Sequence, residues 1–266
     1  MQLKSLDDIT TSHRHIFLSP HFDDAVYSCG GTLGVQVSVG LRPLVITVFG
    51  GASQQTTLNS FALDVHRKMG FSQDVSAVIK TRRQEDAAAL DYLGVDYFWL
   101  DYPDAIYRGH YTQENQLIGG EVHPSDRWID EELAEILVSL CQRLPDAVWY
   151  APLGVGRHVD HQIVASAADR LTQLGSKVNL YEDFPYVARQ KGALVERLEE
   201  FGNLLEPGLV EMSEMLRLRQ EAAAKYASQT ALNFEDEKSM FQSMQSYTHS
   251  IRPVETVHLE RYWSAR

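Results

Sequence analysis

The sequence predicts an α/β fold: a three-layer α/β/α sandwich around a mainly parallel sheet, with additional C-terminal helices and a closing strand. Five short apolar segments recur along the chain, at 15–20, 42–50, 95–102, 147–154 and 177–184. Several are apolar at successive positions, which is typical of strands covered on both faces. Helical patterns separate them. A strand followed by a helix, repeated, implies right-handed crossovers between parallel strands.

Three helices are predicted between these strands. The segment 80–94 is rich in Ala and closes with Gly94, a residue type that often follows a helix C-terminus. Apolar residues recur on one face of 126–144, and Pro145 follows its end. A third helix is expected from His161 to about residue 174. Ligands of such sheets bind beyond the carboxyl ends of the strands, so polar residues there are the first candidates for a functional site.

The C-terminal part departs from this alternation. Residues 212–234 have the pattern of one long helix, followed by a polar helix and a closing strand over 253–263. No internal repeat, low-complexity tract or Pro/Gly-rich linker interrupts the sequence. We therefore expect a single domain over residues 1–266.

The segment 103–126 fits neither a strand nor a helix pattern. It is rich in Tyr, Gly, His and other polar residues. Loops of this length are often functional lids, so a substrate loop or lid is one interpretation. A disordered surface excursion is the other.

Composition limits the partners. A formal net charge of −12 opposes binding to nucleic acid or anionic lipid by electrostatic attraction, so a small-molecule substrate is expected. No segment has the apolar length of a membrane span, and the first residues lack the apolar region of a signal peptide, which predicts a cytoplasmic protein. A homo-oligomer is compatible with the sequence. Cys29 and Cys141 lie in apolar helical segments and are predicted to be buried free thiols.

Two clusters of His and Asp follow the first and the fourth predicted strands. They comprise His21, Asp23, Asp24, His158, Asp160 and His161. Because both clusters are expected at strand carboxyl ends, the fold can bring them together despite their separation in sequence. Two His and one carboxylate form a three-ligand site with open coordination positions, as in catalytic metal centres.

Each cluster alone also has a structural explanation. Asp24 or Asp160 could cap a helix by accepting a backbone N–H. A single His beside a strand end is usually exposed or hydrogen-bonded, so either cluster alone is explained equally well without a metal. Both clusters together are better explained by a shared ligand, because core-adjacent positions rarely carry so many ionisable groups.

The two clusters resemble motifs of a known family. "HFDD…CGG" followed by "RHVDHQ" resembles the HPDD…GG and HPDH motifs of the N-acetylglucosaminyl-phosphatidylinositol de-N-acetylase-like family, also called PIG-L or LmbE-like. "RRQEDAAALDYLG", "LDYPDA" and "KYASQ" are similar to further elements of that family. The resemblance covers roughly residues 15–230.

The resemblance implies a zinc-dependent N-deacetylase on a Rossmann-like sheet, acting on N-acetylated amino-sugar conjugates. By position in the motifs, His21, Asp24 and His161 match the zinc ligands. Asp23 matches the general base. The chemistry agrees, since Zn²⁺ lowers the pKa of bound water and polarises an acyl oxygen, and a carboxylate beside it can carry the proton to the amine.

The remaining positions match residues around the substrate. His158 corresponds to the group that stabilises the oxyanion and Asp160 to the residue that orients it, raising the pKa of His158 so that the imidazole is protonated. Arg82 and Asp104 match positions that contact substrate in relatives. Tyr226 and Gln229, in "KYASQ", are expected to pack their helix rather than to close the site.

Three positions depart from the family pattern. Phe22 and Val159 stand where the family usually has Pro. Gly156 stands where some relatives have a Tyr that assists the oxyanion. Arg157, or a Tyr from the 103–126 segment, is the expected substitute.

Other functions remain open at this stage. Two His and one carboxylate are also the ligand set of Fe(II) oxygenases, and Fe²⁺ in a hydrolytic site is a separate alternative to Zn²⁺. A carbohydrate-binding relative without catalytic activity is a third function, although the expected ligands and Asp23 are all present. "GGTLG" does not follow the spacing of a nucleotide-binding glycine motif.

Overall fold

Within residues 1–51, 58–71, 74–202 and 204–265, which this computed structural model describes, seven strands form one sheet. The strands are β1 (His15–Ser19), β2 (Leu44–Thr47), β3 (Asp96–Trp99), β4 (Val148–Pro152), β5 (Lys177–Tyr181), β6 (Leu205–Glu211) and β7 (Leu259–Ala265). Their order across the sheet is β3-β2-β1-β4-β5-β7-β6. The five predicted strands lie within the predicted segments and pair in parallel, whereas β7 runs antiparallel to both β5 and β6.

The helices of the described residues cover both faces of the sheet. They are α1 (Asp24–Ser38), α2 (Ser60–Lys68), α3 (Val75–Leu93), α4 (Glu114–Leu117), α5 (Arg127–Arg143), α6 (Val159–Gln173), α7 (Tyr186–Arg189), α8 (Ala193–Glu200), α9 (Leu216–Ala223), α10 (Ala227–Asn233) and α11 (Glu237–Ser250). Alternate residues of β1 face opposite layers. Ile16 and Leu18 pack with α5 and α6, and Phe17 packs with α1, α3, α9 and α11. The predicted α/β/α sandwich is confirmed.

The strand order places the two His/Asp clusters side by side. Successive crossovers run from β1 through β2 to β3 on one side, and from β4 to β5 on the other. The order therefore reverses between β1 and β4, which are paired neighbours. His21 follows β1 and His158 follows β4, so both clusters lie at the crevice where ligands of such sheets bind.

Several predicted boundaries are wrong. α3 begins at Val75 rather than at residue 80, because Asp74 caps it by accepting the N–H groups of Ser76 and Ala77. The long helix predicted over 212–234 is divided into a 3₁₀ turn, α9 and α10. It breaks at Tyr226, whose φ and ψ of −85° and 63° are not helical.

Long-range hydrogen bonds explain this break. The Tyr226 hydroxyl donates to Asp86 at 2.7 Å, and Ser228 donates its backbone N–H and its hydroxyl to Glu85 at 2.9 and 2.6 Å. The polar helix, as α11, and the closing strand, as β7, are confirmed. β6 was not predicted, because its "LEPGLVE" sequence is mostly exposed and contains Pro and Gly.

The 103–126 segment is ordered, so the disordered alternative is wrong. It contains 3₁₀ turns at Ala105–Tyr107 and Pro124–Asp126 as well as α4. Its buried residues Ile106 and Leu117 belong to a third apolar cluster together with residues of α2, α3 and α6.

Both cysteines carry free thiols, as predicted. Cys29 is buried, but Cys141 is only partly so, with its sulfur 2.8 Å from the Ser176 hydroxyl. None of the helices in the described part of the chain combines the length and apolar character needed to cross a bilayer.

Candidate metal centre and active-site cavity

The turn after β1 fixes His21 and Asp24 relative to each other. The Ser19 hydroxyl donates to the carbonyl oxygen of His21 at 2.5 Å and accepts the N–H of Ala25 at 2.9 Å. The carboxylate of Asp24 accepts the N–H of His21 at 2.7 Å. Asp24 is thus the first residue of α1 and holds the preceding turn, rather than capping the helix.

The three predicted metal ligands lie together. Asp24 Oδ2 is 3.2 Å from His21 Nδ1 and 3.3 Å from His161 Nε2. One donor atom from each of the three residues lies within 4.8 Å of the others, and all three residues are buried. Burial opposes ionisation of Asp24, but His161 and His21 hold its pKa well below the usual value, so the carboxylate is anionic.

The surroundings of His161 suit a metal ligand. Its Nδ1 pairs with Asp183 Oδ1 at 2.6 Å, whereas its buried Nε2 forms no hydrogen bond with any described residue. Burial would lower its pKa, but Asp24 and Asp183 raise the pKa of His161 to about 9, so this position favours positive charge. An imidazole held by a carboxylate on one nitrogen, with the other nitrogen directed at further donors, is the usual arrangement of a metal-binding histidine.

Sequence reasoning missed Asp183. Its second oxygen accepts the N–H groups of Gly154 and Val155, each at 2.8 Å, so Asp183 joins the end of β4 to His161. Its position just beyond the carboxyl end of β5 was the signal that could have identified it.

The other ligand histidine has a similar partner. His21 Nε2 is 2.9 Å from Asp160 Oδ2, which also accepts the N–H of Ala105 at 3.0 Å. The other oxygen of Asp160 accepts a hydrogen bond from Arg108. Burial would raise the pKa of Asp160, but Arg108 and His21 lower it well below its usual value. His21 and Asp160, together with His158, form a second set of candidate metal donors.

Asp160 contacts His158 through its backbone and not through its carboxylate. Asp160 reaches His158 through its backbone N–H, which donates to His158 Nδ1 at 3.1 Å, because His158 is the N-cap of α6. Burial and His21 lower the pKa of His158 to about 3, despite the opposite effect of Asp160. His158 is therefore neutral rather than protonated, and because Nδ1 accepts a hydrogen bond, the ring proton lies on Nε2.

Asp23 lies beside the ligands and lines the cavity. Its pKa is raised to about 6 by burial and by the neighbouring Asp24, and the opposing attraction of Arg82 is weaker. The guanidinium of Arg82 is 3.6 Å from Asp23 Oδ1 and donates to Asp104 Oδ2 at 3.2 Å. Arg82 therefore links the candidate base to the second predicted substrate contact.

Phe22 supports this arrangement. Its ring lies 5.3 Å from the Arg82 guanidinium carbon and packs edge-on against Trp99. The side chain that replaces the family's Pro thus forms part of the wall that holds Arg82 in place.

A cavity of about 210 Å³ opens over these residues. Its polar end contains His21, Asp23, Asp24, Arg82, Asp104 and His158. The 103–126 segment contributes Asp104, Ile106, Glu114, Leu117 and Ile118. The predicted site residues other than Asp160 and His161 therefore face one cavity, and those two are buried behind it.

Tyr186 occupies the space beside Gly156. A Cβ at Gly156, where φ is +83°, would lie 2.8 Å from atoms of the Tyr186 side chain. The Tyr186 ring lines the cavity and meets His161 edge-on at 5.6 Å. Its hydroxyl makes no hydrogen bond with any residue that the structure describes. Burial raises the pKa of Tyr186 well above its usual value, so the hydroxyl remains a neutral donor.

The residues expected to replace the Tyr that some relatives have at position 156 have other partners. Arg157 pairs with Glu200 on the surface. In the 103–126 segment, Tyr107 contacts His66 and Tyr111 contacts Asp126. Tyr186 was missed because it follows a different strand, β5, far from both motifs.

The "KYASQ" motif has two functions in the fold. Tyr226 is buried and bonded to Asp86, as its predicted packing role requires. Gln229, one turn further along α10, lines the cavity, which differs from the packing role expected for it.

Comparisons with known proteins identify the family. The family model for PIG-L, GlcNAc-PI de-N-acetylase, matches residues 16–172. A 2'-N-acetylparomamine deacetylase of Streptomyces fradiae is 31% identical over 221 residues, covering 82% of this chain and 74% of the relative. Another, of Niallia circulans, is 32% identical over 186 residues, covering 64% of this chain and just under two thirds of the relative (66%).

Solved structures give the same result. The zinc-inhibited form of a teicoplanin deacetylase superimposes with a TM-score of 0.80 at 28% identity, covering 95% of this chain and 98% of that one. A deacetylase–teicoplanin complex gives a TM-score of 0.76 at 27% identity, covering 94% and 97%. The chain belongs to the PIG-L family of GlcNAc-PI de-N-acetylases.

Proposed function

We propose that this protein is a metal-dependent hydrolase that removes an N-acyl group, in the first place N-acetyl, from an amino-sugar conjugate. The observation that carries this proposal is the cluster of His21, Asp24 and His161, with the unbonded His161 Nε2, next to Asp23 in a cavity. The names of the relatives support N-deacetylation, and nothing in them supports an oxygenase.

His21, Asp24 and His161 would hold a divalent cation. Two imidazoles and one carboxylate suit zinc, with Fe²⁺ as the alternative. When bound, the cation would polarise the acyl oxygen and lower the pKa of the attacking water. Asp183 and Asp160 support the ligand set, because each holds a ligand histidine through its other ring nitrogen.

Asp23 acts as the base and then as the acid. Its carboxylate takes a proton from the water that attacks the acyl carbon, and it returns that proton to the nitrogen that leaves as the amine. A pKa of about 6 suits both steps, because the group is mainly ionised at neutral pH and still basic enough to accept a proton.

His158 and Tyr186 stabilise the charge that develops on the acyl oxygen. Neutral His158 donates through Nε2–H, which differs from the protonated imidazole expected from the sequence. Tyr186 donates through its hydroxyl and takes the place for which Arg157 was expected. Donors already aimed at the oxyanion contribute most to such reactions.

Asp104 binds sugar hydroxyl groups, and Arg82 positions both Asp104 and Asp23. Both residues are buried and face the polar end of the cavity. The 103–126 segment acts as a substrate loop within a single domain over residues 1–266, since five of its residues line the cavity.

Metal analysis and an acetate assay test this function. Purified protein should contain about one divalent cation per chain and should release acetate from N-acetylglucosaminyl conjugates, with or without O₂. Asp23→Asn should abolish acetate release while keeping the metal, and His161→Ala should lose the metal. Full metal content without acetate release from any conjugate, or O₂-dependent turnover, would contradict the proposal.

A further inference from the structure

Part of the cavity wall is apolar. It is formed by three separate parts of the chain: α2 with the following residue, the 103–126 segment, and α10. Its apolar side chains include Phe61, Val65, Met69, Ile106, Leu117 and Leu232. α2 contacts both α10 and the 3₁₀ turn at Ala105–Tyr107, so the wall is continuous.

Buried apolar residues support this wall from behind. Phe61 and Val65 pack on the third apolar cluster, which includes Ala62, Ile79 and Tyr107. A wall packed in this way is a preformed surface of the kind that buries the apolar part of a ligand.

The charged groups at the cavity also favour a ligand whose substituent is not cationic. At the polar end, Asp23 and Asp104 already face Arg82, and Asp24 faces the two ligand histidines. At the mouth lie Lys68, Arg189 and the exposed Glu114.

Lys68 and Arg189 are not paired with a carboxylate among the described residues. Within the described residues, Lys68 and Arg189 form no ion pair, and Arg189 donates only to the amide oxygen of Asn233, at 3.4 Å. A cationic ligand would find one carboxylate at the mouth and two positive charges, and its ammonium group would lose hydration against the wall.

We propose that this wall is a subsite for an apolar substituent carried by the amino sugar, with neutral or anionic conjugates accepted and polycationic amino sugars excluded. The inference rests on the proposed deacetylation, because that reaction places the sugar nitrogen at the metal-binding end. The substituent then extends along the wall toward Lys68 and Arg189.

A matched set of glycosides tests the subsite. Methyl, hexyl, aminohexyl and carboxypentyl N-acetylglucosaminides share the sugar and, in the last three, the chain length. Dissociation constants are measured by calorimetry on metal-loaded Asp23→Asn protein, which does not turn them over. The hexyl glycoside should bind at least about tenfold more tightly than the methyl glycoside, since each buried methylene contributes roughly fourfold.

The charged glycosides test the mouth. The aminohexyl glycoside should bind no more tightly than the methyl glycoside. The carboxypentyl glycoside should bind more tightly than the aminohexyl one, and the difference should shrink at high salt. Lys68→Glu combined with Arg189→Glu should reverse this order.

A second arm distinguishes the two sources of an apolar group. N-hexanoylglucosamine carries the chain on the acyl side, whereas the hexyl glycoside carries it on the sugar's other substituent. Tighter binding than the methyl glycoside that is seen only with the hexyl glycoside supports the proposal. Tighter binding seen only with N-hexanoylglucosamine overturns it.

Leu232→Asp tests the wall itself. This variant should remove the advantage of the hexyl glycoside, whereas Leu209→Asp, on the exposed edge strand β6, should keep it. Equal binding of hexyl and aminohexyl glycosides would overturn the subsite whether or not acetate is released. Acetate release by the wild-type protein with the same kcat/KM for all four glycosides would overturn the subsite and leave the deacetylase function intact.

Discussion

At the scale of single residues, each histidine proposed as a ligand is held by a carboxylate on the ring nitrogen that faces away from the other proposed ligands. Asp160 holds His21, and Asp183 holds His161. The proposed ligands could be identified from the sequence because they lie in two compact motifs. Asp183 could not, since a single Asp after a strand has many structural uses and its partner lies on another element.

Asp183→Asn should weaken metal binding by about ten- to a hundredfold, because the amide is a poorer acceptor for the imidazole N–H. Competition with a chelator of known affinity measures this change. The exposed Asp169 gives the control, since Asp169→Asn should leave the affinity unchanged. Equal affinity in wild type and Asp183→Asn would show that Asp183 only joins the strand ends.

Tyr186→Phe should lower kcat by about a hundredfold, since one oxyanion donor is lost. The metal content should not change, because the hydroxyl forms no hydrogen bond with His21, Asp24 or His161 in the described structure. Steady-state kinetics of acetate release, together with metal analysis, measure both quantities.

Tyr226→Phe is the control for losing a buried tyrosine hydroxyl. It leaves the buried Asp86 without one of its two donors, so it should lower the free energy of unfolding by about 1–3 kcal/mol with kcat nearly unchanged. If Tyr186→Phe instead resembles this control, with lower stability and full kcat, Tyr186 has a packing role only.

At the scale of elements, the apolar patterns were sufficient to predict the parallel strands and three of the helices between them, α3, α5 and α6. Patterns of this kind report burial, and burial on both faces is what a covered parallel sheet requires. They could not predict the break between α9 and α10, because Tyr226 and Ser228 exchange local helical geometry for hydrogen bonds to α3. The apolar patterns also could not predict how closely α1 packs against β7, because that distance depends on glycine.

A neighbouring element approaches α1 closely at Gly31. Its N–H donates to the buried Glu260 at 2.8 Å, and an added Cβ would lie 2.8 Å from Glu260 Oε1 and from two atoms of Met212. In an exposed helix, replacing Gly by Ala stabilises by up to about 1 kcal/mol. Here the displacement of Glu260 should outweigh that gain, because the same carboxylate also pairs with the buried Arg219.

Gly31→Ala should therefore lower the free energy of unfolding, by about 1–3 kcal/mol, in urea denaturation. Gly34→Ala is the matched substitution on the same helix, where the nearest atom, Leu218 Cδ2, is 3.0 Å away at the end of a flexible side chain. Its effect should be smaller. A stabilised Gly31→Ala protein would show that the contact relaxes without cost.

At the scale of the whole molecule, the reversal of strand order between β1 and β4 assembles the site. Residues 140 positions apart, His21 and His161, meet because their strands are neighbours with carboxyl ends at the same edge. The α/β pattern of the sequence predicts that both histidines lie at strand carboxyl ends, but it does not predict that their strands are neighbours. The contributions of β5 through Asp183, and of the following α7 through Tyr186, depend on the strand order itself.

Metal binding should therefore stabilise the whole fold, because the ligands come from two separate segments that only the folded chain brings together. Stabilisation by a ligand that binds only the folded state is about 2.7 kcal/mol at a free concentration a hundredfold above Kd. For a chain of this size, that corresponds to a rise in Tm of several degrees. Calorimetry of chelator-treated protein, with and without added Zn²⁺, measures this rise in Tm.

Two variants serve as controls. His161→Ala should show no such rise at the same Zn²⁺ concentration, whereas Asp23→Asn should retain it, because Asp23 is not a proposed ligand. Equal rises in wild type and His161→Ala would place the stabilising ion elsewhere on the protein.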